Sequence, residues 1–325
     1  MTMIESGSDR LVTYALFAFN QERYVAEAVR SALAQDYQPL DIIISDDASS
    51  DDTYRIIEDE VGRYRGPHRV RLNRNEVNLG LARHLNFVMG MAESNFVVLA
   101  AGDDISLPER TRILAERYRS CGSSHFYVSS NAEVLGAEGV PTGRNVLRGS
   151  SPDDLLRLAA GTDMPLGAAS ACTKSLFDHF GALPDKLMNE DFVLPFRAHL
   201  VGKVAYVDLA LVRYRVSAGS LSQDGEQASS SEIFLRRARY LARQQLALSC
   251  MLSDLCHFDS LLAGSADALV PGNLKRILTR RLMLISAAED FYRHRSGGSR
   301  FMAFAAVLFR PHLAHLLVIG RLRRP

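Results

Sequence analysis

In LDIIISDDASSDDT, residues 40–53, three β-branched residues, Ile42, Ile43 and Ile44, run into Ser45, Asp46 and Asp47, with a further acid pair at Asp51 and Asp52. An apolar run that ends in a carboxylate-rich turn reads as a buried parallel strand whose carboxyl end opens into a polar loop. Open α/β sheets bind their ligands at that end. A second run, FVVLAA at residues 96–101, ends the same way in Gly102, Asp103 and Asp104. Either acid pair alone reads as a helix cap or a turn. Together, at one sheet edge, they predict a site for a cation and for an anion that the cation neutralises, which suits a metal-dependent transferase acting on a nucleotide-diphosphate donor.

The flanking sequence supplies the rest of an α/β pattern. LVTYALFAF, residues 11–19, is an apolar run suited to a central strand, and it ends at Asn20, Gln21 and Glu22. Tyr24, Val25, Ala28, Val29, Leu33 and Ala34 then share one helical face, and Pro39 forbids the helix to continue. Strand, helix and the Ile42 strand form a βαβ unit with a right-handed crossover. Asp52 and Thr53 are predicted to cap a helix carrying Ile56, Ile57 and Val61, followed by a short strand over Val70 to Leu72. After Asn78, Leu79 and Gly80, a helix through Ala82, Leu85, Val88, Met89 and Met91 leads into the Phe96 strand. Pro108 opens a further helix with Leu114, Ala115 and Tyr118 turned inward.

Beyond Ser123 the expected elements are a strand from Phe126 to Ser129, a turn from Gly136 to Gly143, and a helix starting at Ser151 with Pro152 in its first turn. A small-residue strand over Gly167 to Thr173 follows, then a helix opened by Glu190 and Asp191 and running to about Leu200. Strand character resumes at Val204 to Val207 and at Leu211 to Val216. From about Ser229 the pattern is helical and basic.

A chain of 325 residues, 47% hydrophobic and 23% charged, has enough interior for a sizeable core, and its net charge of +1 gives no electrostatic argument for nucleic acid. Cys121, Cys172, Cys250 and Cys256 lack metal-ligand or redox spacing and are expected as reduced, buried thiols in a cytoplasmic protein. The first ten residues lack a signal-peptide pattern. Phe301 to Gly320 is apolar but interrupted by Arg310, Pro311, His312 and His315. Two readings stay open for it: a helix lying in the inner face of the cell membrane, or a hairpin packed on protein, including a second subunit. No GxGxxG follows the first strand, no P-loop motif occurs, and the histidines are isolated, so they are expected as surface or packing residues.

Taken with these features, Tyr14 to Thr53 resembles the opening of the inverting glycosyltransferases of family 2. The resemblance rests on Phe19 and Asn20, Tyr24, Ser31 and Gln35, Asp46, Asp47, Ser49 and Asp51. It continues through Asn78 and Gly80, Asp103 and Asp104 with Pro108, Glu190 and Asp191, and Tyr214 and Arg215 with Ser220 to Ser222. It implies a GT-A fold: a Rossmann-like α/β domain with a mixed, mostly parallel sheet flanked by helices. That domain would span residues 10–225, with a nucleotide-binding half over 10–123, an acceptor half over 124–225, and a helical C-terminal region over 226–325.

The roles implied are specific. Phe17, Ala18, Phe19, Asn20, Glu22 and Asn78 line the nucleotide pocket. Asp47 accepts a hydrogen bond from the base of a UDP or dTDP donor, and Asp46 supports the loop. Asp103 meets the ribose or sugar diphosphate, and Asp104 binds a divalent metal, Mn2+ or Mg2+. Asp191 is the general base for a glycan or lipid-linked acceptor, and Glu190 orients that side. Relatives often carry an Asp where this chain has Ala101 and a His where it has Ser217, which leaves fewer metal ligands. The alternatives are a non-catalytic nucleotide-binding scaffold and a nucleotidyltransferase.

Overall fold

The computed structural model describes residues 10–136, 139–146, 154–162, 164–215, 230–261 and 273–294. The first apolar run becomes strand β1 (Val12–Ala18), and the Ile42 run becomes β2 (Leu40–Asp46), buried along its whole length. Between them lies helix α1 (Val25–Leu33), buried through Val25, Ala28, Val29 and Ala32. There follow α2 (Thr53–Arg63), β3 (Arg69–Arg74), α3 (Leu81–Met91) and β4 (Phe96–Ala101). A short β5 (Ile105–Ser106) and α4 (Arg110–Cys121) complete this half.

Pairing in the sheet explains where a site can form. β1 pairs in parallel with β2 on one side and with β4 on the other, and β2 pairs in parallel with β3. Phe17 lies opposite both Ser45 and Ala101, and Ala18 lies opposite Asp46, so both acid loops emerge beside the end of β1. This is the switch point at which open α/β sheets form a crevice. Side-chain alternation divides the core. Tyr14, Leu16, Ile42, Ile44, Phe96 and Val98 pack with Val25, Val29, Ile57 and Leu114 of the helices. On the opposite face Phe17 meets His84 of α3, ring edge to face, with centroids 5.1 Å apart.

The second half extends the sheet through β6 (Phe126–Leu135), β7 (Pro141–Asn145), β8 (Ser170–Thr173) and β9 (Lys203–Arg215). The sheet order is β3, β2, β1, β4, β8, β6, β9, β5, with β7 beside β6. β6 and β9 run in the direction of β1 to β4, whereas β5, β7 and β8 oppose their neighbours. Helices α5 (Leu155–Ala160), α6 (Ser175–Phe180) and α7 (Glu190–Val201) connect them.

Several expectations are corrected here. The two strands expected around Val204 and Leu211 are one strand. β9 absorbs the polar Asp208 through register shifts opposite Asn131, whose amide donates to Asp208 at 3.3 Å. The strand expected from Gly167 begins only at Ser170, because residues 167–169 form a tight helical turn. The helix expected at Ser151 begins at Leu155, capped by Asp154, whose carboxylate accepts from the amides of Leu156 and Arg157; residues 151–153 lie outside the described residues. At α2, Asp52 makes no capping bond and pairs with Arg55, while Asp51 accepts from the Thr53 amide. None of the four cysteines forms a disulfide, but only Cys172 and Cys250 are buried.

The chain divides into two compact units, Met1–Ser220 and Leu221–Pro325. In the second, α8 (Ser230–Leu261) and α9 (Leu274–His294) lie side by side. Gln245 donates to Ser286 at 2.8 Å, Arg281 donates to Gln244 at 3.1 Å, and Arg237 acts on Tyr292. Rising numbers on α8 thus meet falling numbers on α9, an antiparallel hairpin. No helix among the described residues is long and apolar enough to cross a membrane. The Phe301 to Gly320 stretch, the boundary expected at residue 225, and Ser217 lie outside the described residues.

The entry to β9 depends on Gly202. A Cβ there would fall 2.0 Å from the His125 carbonyl oxygen, and backbone cannot withdraw as a side chain can. Gly202→Ala is expected to destabilise the protein by on the order of 3 kcal/mol, read as a lower urea midpoint. An unchanged midpoint would show that the β6–β9 junction relaxes freely.

Candidate active site

The loop after β1 and the acid loop after β2 are stitched together by reciprocal hydrogen bonds. Asn20 donates its amide to Ser49 Oγ at 2.9 Å and accepts the Ser50 amide on Oδ1 at 2.9 Å. Gln21 donates its amide to Thr53 Oγ1 at 2.7 Å. Glu22 donates its amide to Asp51 at 3.1 Å, and its carboxylate accepts the Asp52 amide at 3.1 Å. The crossing requires left-handed backbone at Asn20 (φ 50°) and Ala48 (φ 58°). Strain of this kind at a non-glycine residue concentrates at functional sites.

Asp46 is wholly buried and turned into its own loop, accepting from the amide and hydroxyl of Ser49. Asp47 accepts from Asn75 at 2.8 Å and from the amides of Leu79 and Gly80 at 2.9 Å each. It thereby fixes the loop entering α3. A carboxylate offers about four lone-pair positions, so three such bonds leave one acceptor position for a ligand. The carbonyls of Phe17 and Ala18 are likewise engaged, by the amides of Gly102 and Asp47. Phe19 is exposed, and Asn78, also exposed, accepts the Gly80 amide. His84 is buried and bonds Ser45 Oγ at 2.6 Å; burial lowers its pKa.

On the other side of β1, Asp103 and Asp104 are enclosed. Burial raises Asp103, and burial followed by the charge of Asp103 raises Asp104 from 3.8 to about 8. Arg215, at the end of β9, organises the pair. Its amide donates to Asp104 Oδ1 at 2.8 Å, Nε donates to the Asp103 carbonyl at 3.1 Å, and Nη2 donates to Glu27 at 2.7 Å. Its guanidinium also lies 4.4 Å from the ring centre of Tyr24. Asp104 Oδ2 is buried without a hydrogen-bond partner.

That orphaned oxygen, beside a second carboxylate and at the proposed diphosphate position, fits a divalent cation. Among the described residues no group of three or more His, Cys, Asp or Glu side chains gathers to hold a metal. A pair of carboxylates is a donor set that suits Mg2+ or Mn2+, which take one or two carboxylates and complete their shell with water and phosphate oxygens.

Glu190 and Asp191 stand at the first two positions of α7. Burial raises Glu190 to about 7, and burial with the Glu190 charge raises Asp191 well above its ordinary value. Both residues are half-buried as a whole, yet Asp191 Oδ1 is enclosed and without a partner. Gly167 leaves room for them: a Cβ there would lie 2.4 Å from Glu190 Oε1. The charges of both also act on the buried Tyr127 hydroxyl, which neighbours the Ser170 side chain.

The structure gathers Phe17 to Glu22, Asp46 and Asp47 at the ends of β1 and β2, with Asp103 and Asp104 across β1. Glu190 and Asp191 form a separate pair against the turn before β8. Arg215 entered the sequence reading only as part of a motif, and its clamp on Asp103 and Asp104 depends on the antiparallel β5–β9 pairing. Arg110 and Tyr127 escaped that reading, because a buried polar residue carries no periodic signal.

Residues 15–135 match the model described as Glycosyl transferase family 2. Among curated proteins, the chain is 35% identical over 99 residues to the putative glycosyltransferase EpsE of Bacillus subtilis, covering 30% of this chain and 35% of EpsE. It is 29% identical over 128 residues to the succinoglycan biosynthesis protein ExoO of Rhizobium meliloti, covering 39% of this chain and 35% of ExoO. The chain thus spans about a third of the length of these relatives. Among solved structures, residues 1–349 of S. aureus TarS in complex with UDP-GlcNAc superpose with a TM-score of 0.55 at 17% identity, covering 94% of this chain and 87% of that 1–349 chain. The mannosyltransferase PcManGT of Pyrobaculum calidifontis, in complex with GDP-Man and Mn2+, gives 0.54 at 17% identity, covering 94% and 82%. These two likenesses establish the fold.

A carboxyl with a raised folded-state pKa holds a proton that the unfolded chain has lost, so its stabilising effect is present at low pH and disappears as pH rises through the folded value. Without divalent ions, the melting temperature is expected to fall between about pH 5 and about pH 8, and Asp104→Asn is expected to flatten that slope. A slope identical in variant and parent would remove Asp104 from the buried acid site.

Proposed function

From a chain whose residues 15–135 form a family 2 glycosyltransferase domain on a GT-A fold, we propose inverting transfer of a sugar, of the hexosyltransferase class, from a UDP- or dTDP-sugar. The acceptor is a hydroxyl of a glycan or lipid-linked glycan, in cell-envelope polysaccharide biosynthesis. The observation that carries the reading is the presence of two acid pairs of different kind, each with one buried carboxylate oxygen that has no partner. Asp103 and Asp104 sit at the switch point of the sheet, and Glu190 and Asp191 sit at the start of α7. In this reading residues 10–123 hold the donor and residues 124–225 the acceptor.

Asp47 offers its remaining lone pair to an imide N–H of the base, while Asn20, Glu22, Asn78 and the stitched loops hold the nucleoside. Asp103 orients the ribose or the sugar diphosphate. Asp104, with its open Oδ2, holds a divalent cation, which when bound offsets the negative charge growing on the departing diphosphate. Asp191 takes the proton of the acceptor hydroxyl. Burial first, and then the charge of Glu190, raises its pKa, so that in its ionised form it is a stronger base than a solvated carboxylate. Attack from the Asp191 side expels the nucleoside diphosphate and inverts the anomeric centre. Polysaccharide biosynthesis is supported by the likeness to ExoO.

Calorimetric titration with UDP, dTDP and GDP, each with Mn2+ and then with EDTA, tests the donor site. UDP or dTDP is expected to bind only with metal. Asp191→Asn is expected to lower turnover by about 10² to 10⁴ while donor affinity stays within a few-fold. Absence of binding by every nucleoside diphosphate would overturn the donor site and favour a scaffold, and release of pyrophosphate would indicate nucleotidyl transfer instead.

A further inference from the structure

Arg110, the first residue of α4, is fully buried, yet no carboxylate touches its guanidinium. Nη1 donates to Ser106 Oγ at 2.8 Å, and that hydroxyl bonds the Tyr14 hydroxyl at 2.7 Å. Nη2 reaches three backbone carbonyls, those of Leu99 at 2.6 Å, Ala168 at 2.9 Å and Ser170 at 3.2 Å. Nε has no partner. Burying an arginine without a contacting counter-ion is costly, and an apolar side chain of similar volume would fill the space more cheaply. Packing alone therefore does not account for a guanidinium here.

What the guanidinium joins does. Leu99 belongs to β4, the strand that delivers Asp103 and Asp104. Ala168 belongs to the turn that begins at Gly167, whose backbone lies directly against Glu190, and Ser170 opens β8 straight after that turn. Ser106 belongs to β5, which pairs with β9 next to Arg215. One planar group thus holds the donor-side strand, the turn beneath the base pair and the β5 edge in a fixed relation. A lysine at this position keeps the charge but loses the planar fork.

We propose that Arg110 is a positioning residue for the transfer, setting the separation between the Asp103–Asp104 end of β4 and the Glu190–Asp191 pair through its bonds to Leu99, Ala168 and Ser170. The inference rests on the two-site reading above. Its consequence is kinetic: a displacement of about 1 Å between reacting groups costs on the order of 10²-fold in rate without weakening the binding of either partner.

The test uses the full chain carrying Arg110→Lys, with Ser106→Ala as a second variant that keeps the guanidinium but removes one anchor. Binding of UDP with Mn2+, kcat and KM for donor turnover, melting temperature, and amide hydrogen exchange over residues 166–171 and 190–193 are measured together. In Arg110→Lys, kcat per folded molecule is expected to fall about 10²-fold, with UDP affinity within about threefold of the parent. Exchange is expected to quicken in both segments, and Ser106→Ala is expected to show the same pattern at about a tenth of the kinetic effect. If Arg110→Lys does not fold, Ser106→Ala alone decides. Parental kcat in the folded variant, or exchange unchanged in both segments, overturns the proposal. If the parent protein turns over no nucleotide sugar, the functional reading fails by itself, and the coupled exchange of the two segments still decides whether Arg110 links them.

Discussion

Parallel pairing of β1 with β2 on one edge and β4 on the other is the constraint from which the site follows. Both neighbours end level with Phe17 and Ala18, so the loops that leave them have only the space beside the end of β1 to occupy. The backbone carbonyls at that end are taken up by the loops. Ala18 accepts from Asp47, and Phe17 accepts from Gly102. Each acid loop is thereby tied to β1 before any side chain acts. Because the strands are buried on both faces, a register slip would expose their aliphatic residues, and this holds the acid pairs where they are.

Enclosing several carboxylates at one edge creates an electrostatic cost that the protein meets unevenly. Asp46 and Asp47 are covered by donors: Ser49 for the first, and Asn75, Leu79 and Gly80 for the second. Asp103 and Asp104 have fewer: the Gln21 side chain bonds Asp103, the Arg215 amide bonds Asp104, the charge of Arg110 acts on Asp104, and Asp104 keeps an unpaired oxygen. Asp191 accepts from the Gly167 amide but keeps an enclosed oxygen without a partner. Asp46 is taken up in building its loop, whereas Asp47, Asp104 and Asp191 each keep an acceptor position, so the degree of satisfaction separates the two kinds. Residue type makes no such distinction.

The sequence was most legible where one interaction dominates. Uniform burial makes β1, β2 and β4 continuous apolar runs, and amphipathic spacing marks α1 and α3, so the α/β class and the order of the first half were readable. It was less legible where neighbours decide. Asp208 broke the apparent strand at Val207, yet β9 continues because Asn131 and a bulge accommodate it. Asp154 rather than Ser151 caps α5, since capping depends on which side chain reaches the free amides.

By itself the sequence determined the strand and helix alternation, the acid pairs at strand ends, and the residues that resemble family 2 glycosyltransferases. Each is a local matter of hydrophobic periodicity and motif spacing. Only the tertiary structure decided which carboxylates remain unsatisfied, and that Arg215 closes over Asp104 from 111 residues away. It alone also decided that Arg110 bridges β4 to a turn 58 residues further on. Those contacts depend on strand order and on the direction of each side chain in the packed sheet, and neither is encoded in the spacing of residues along the chain.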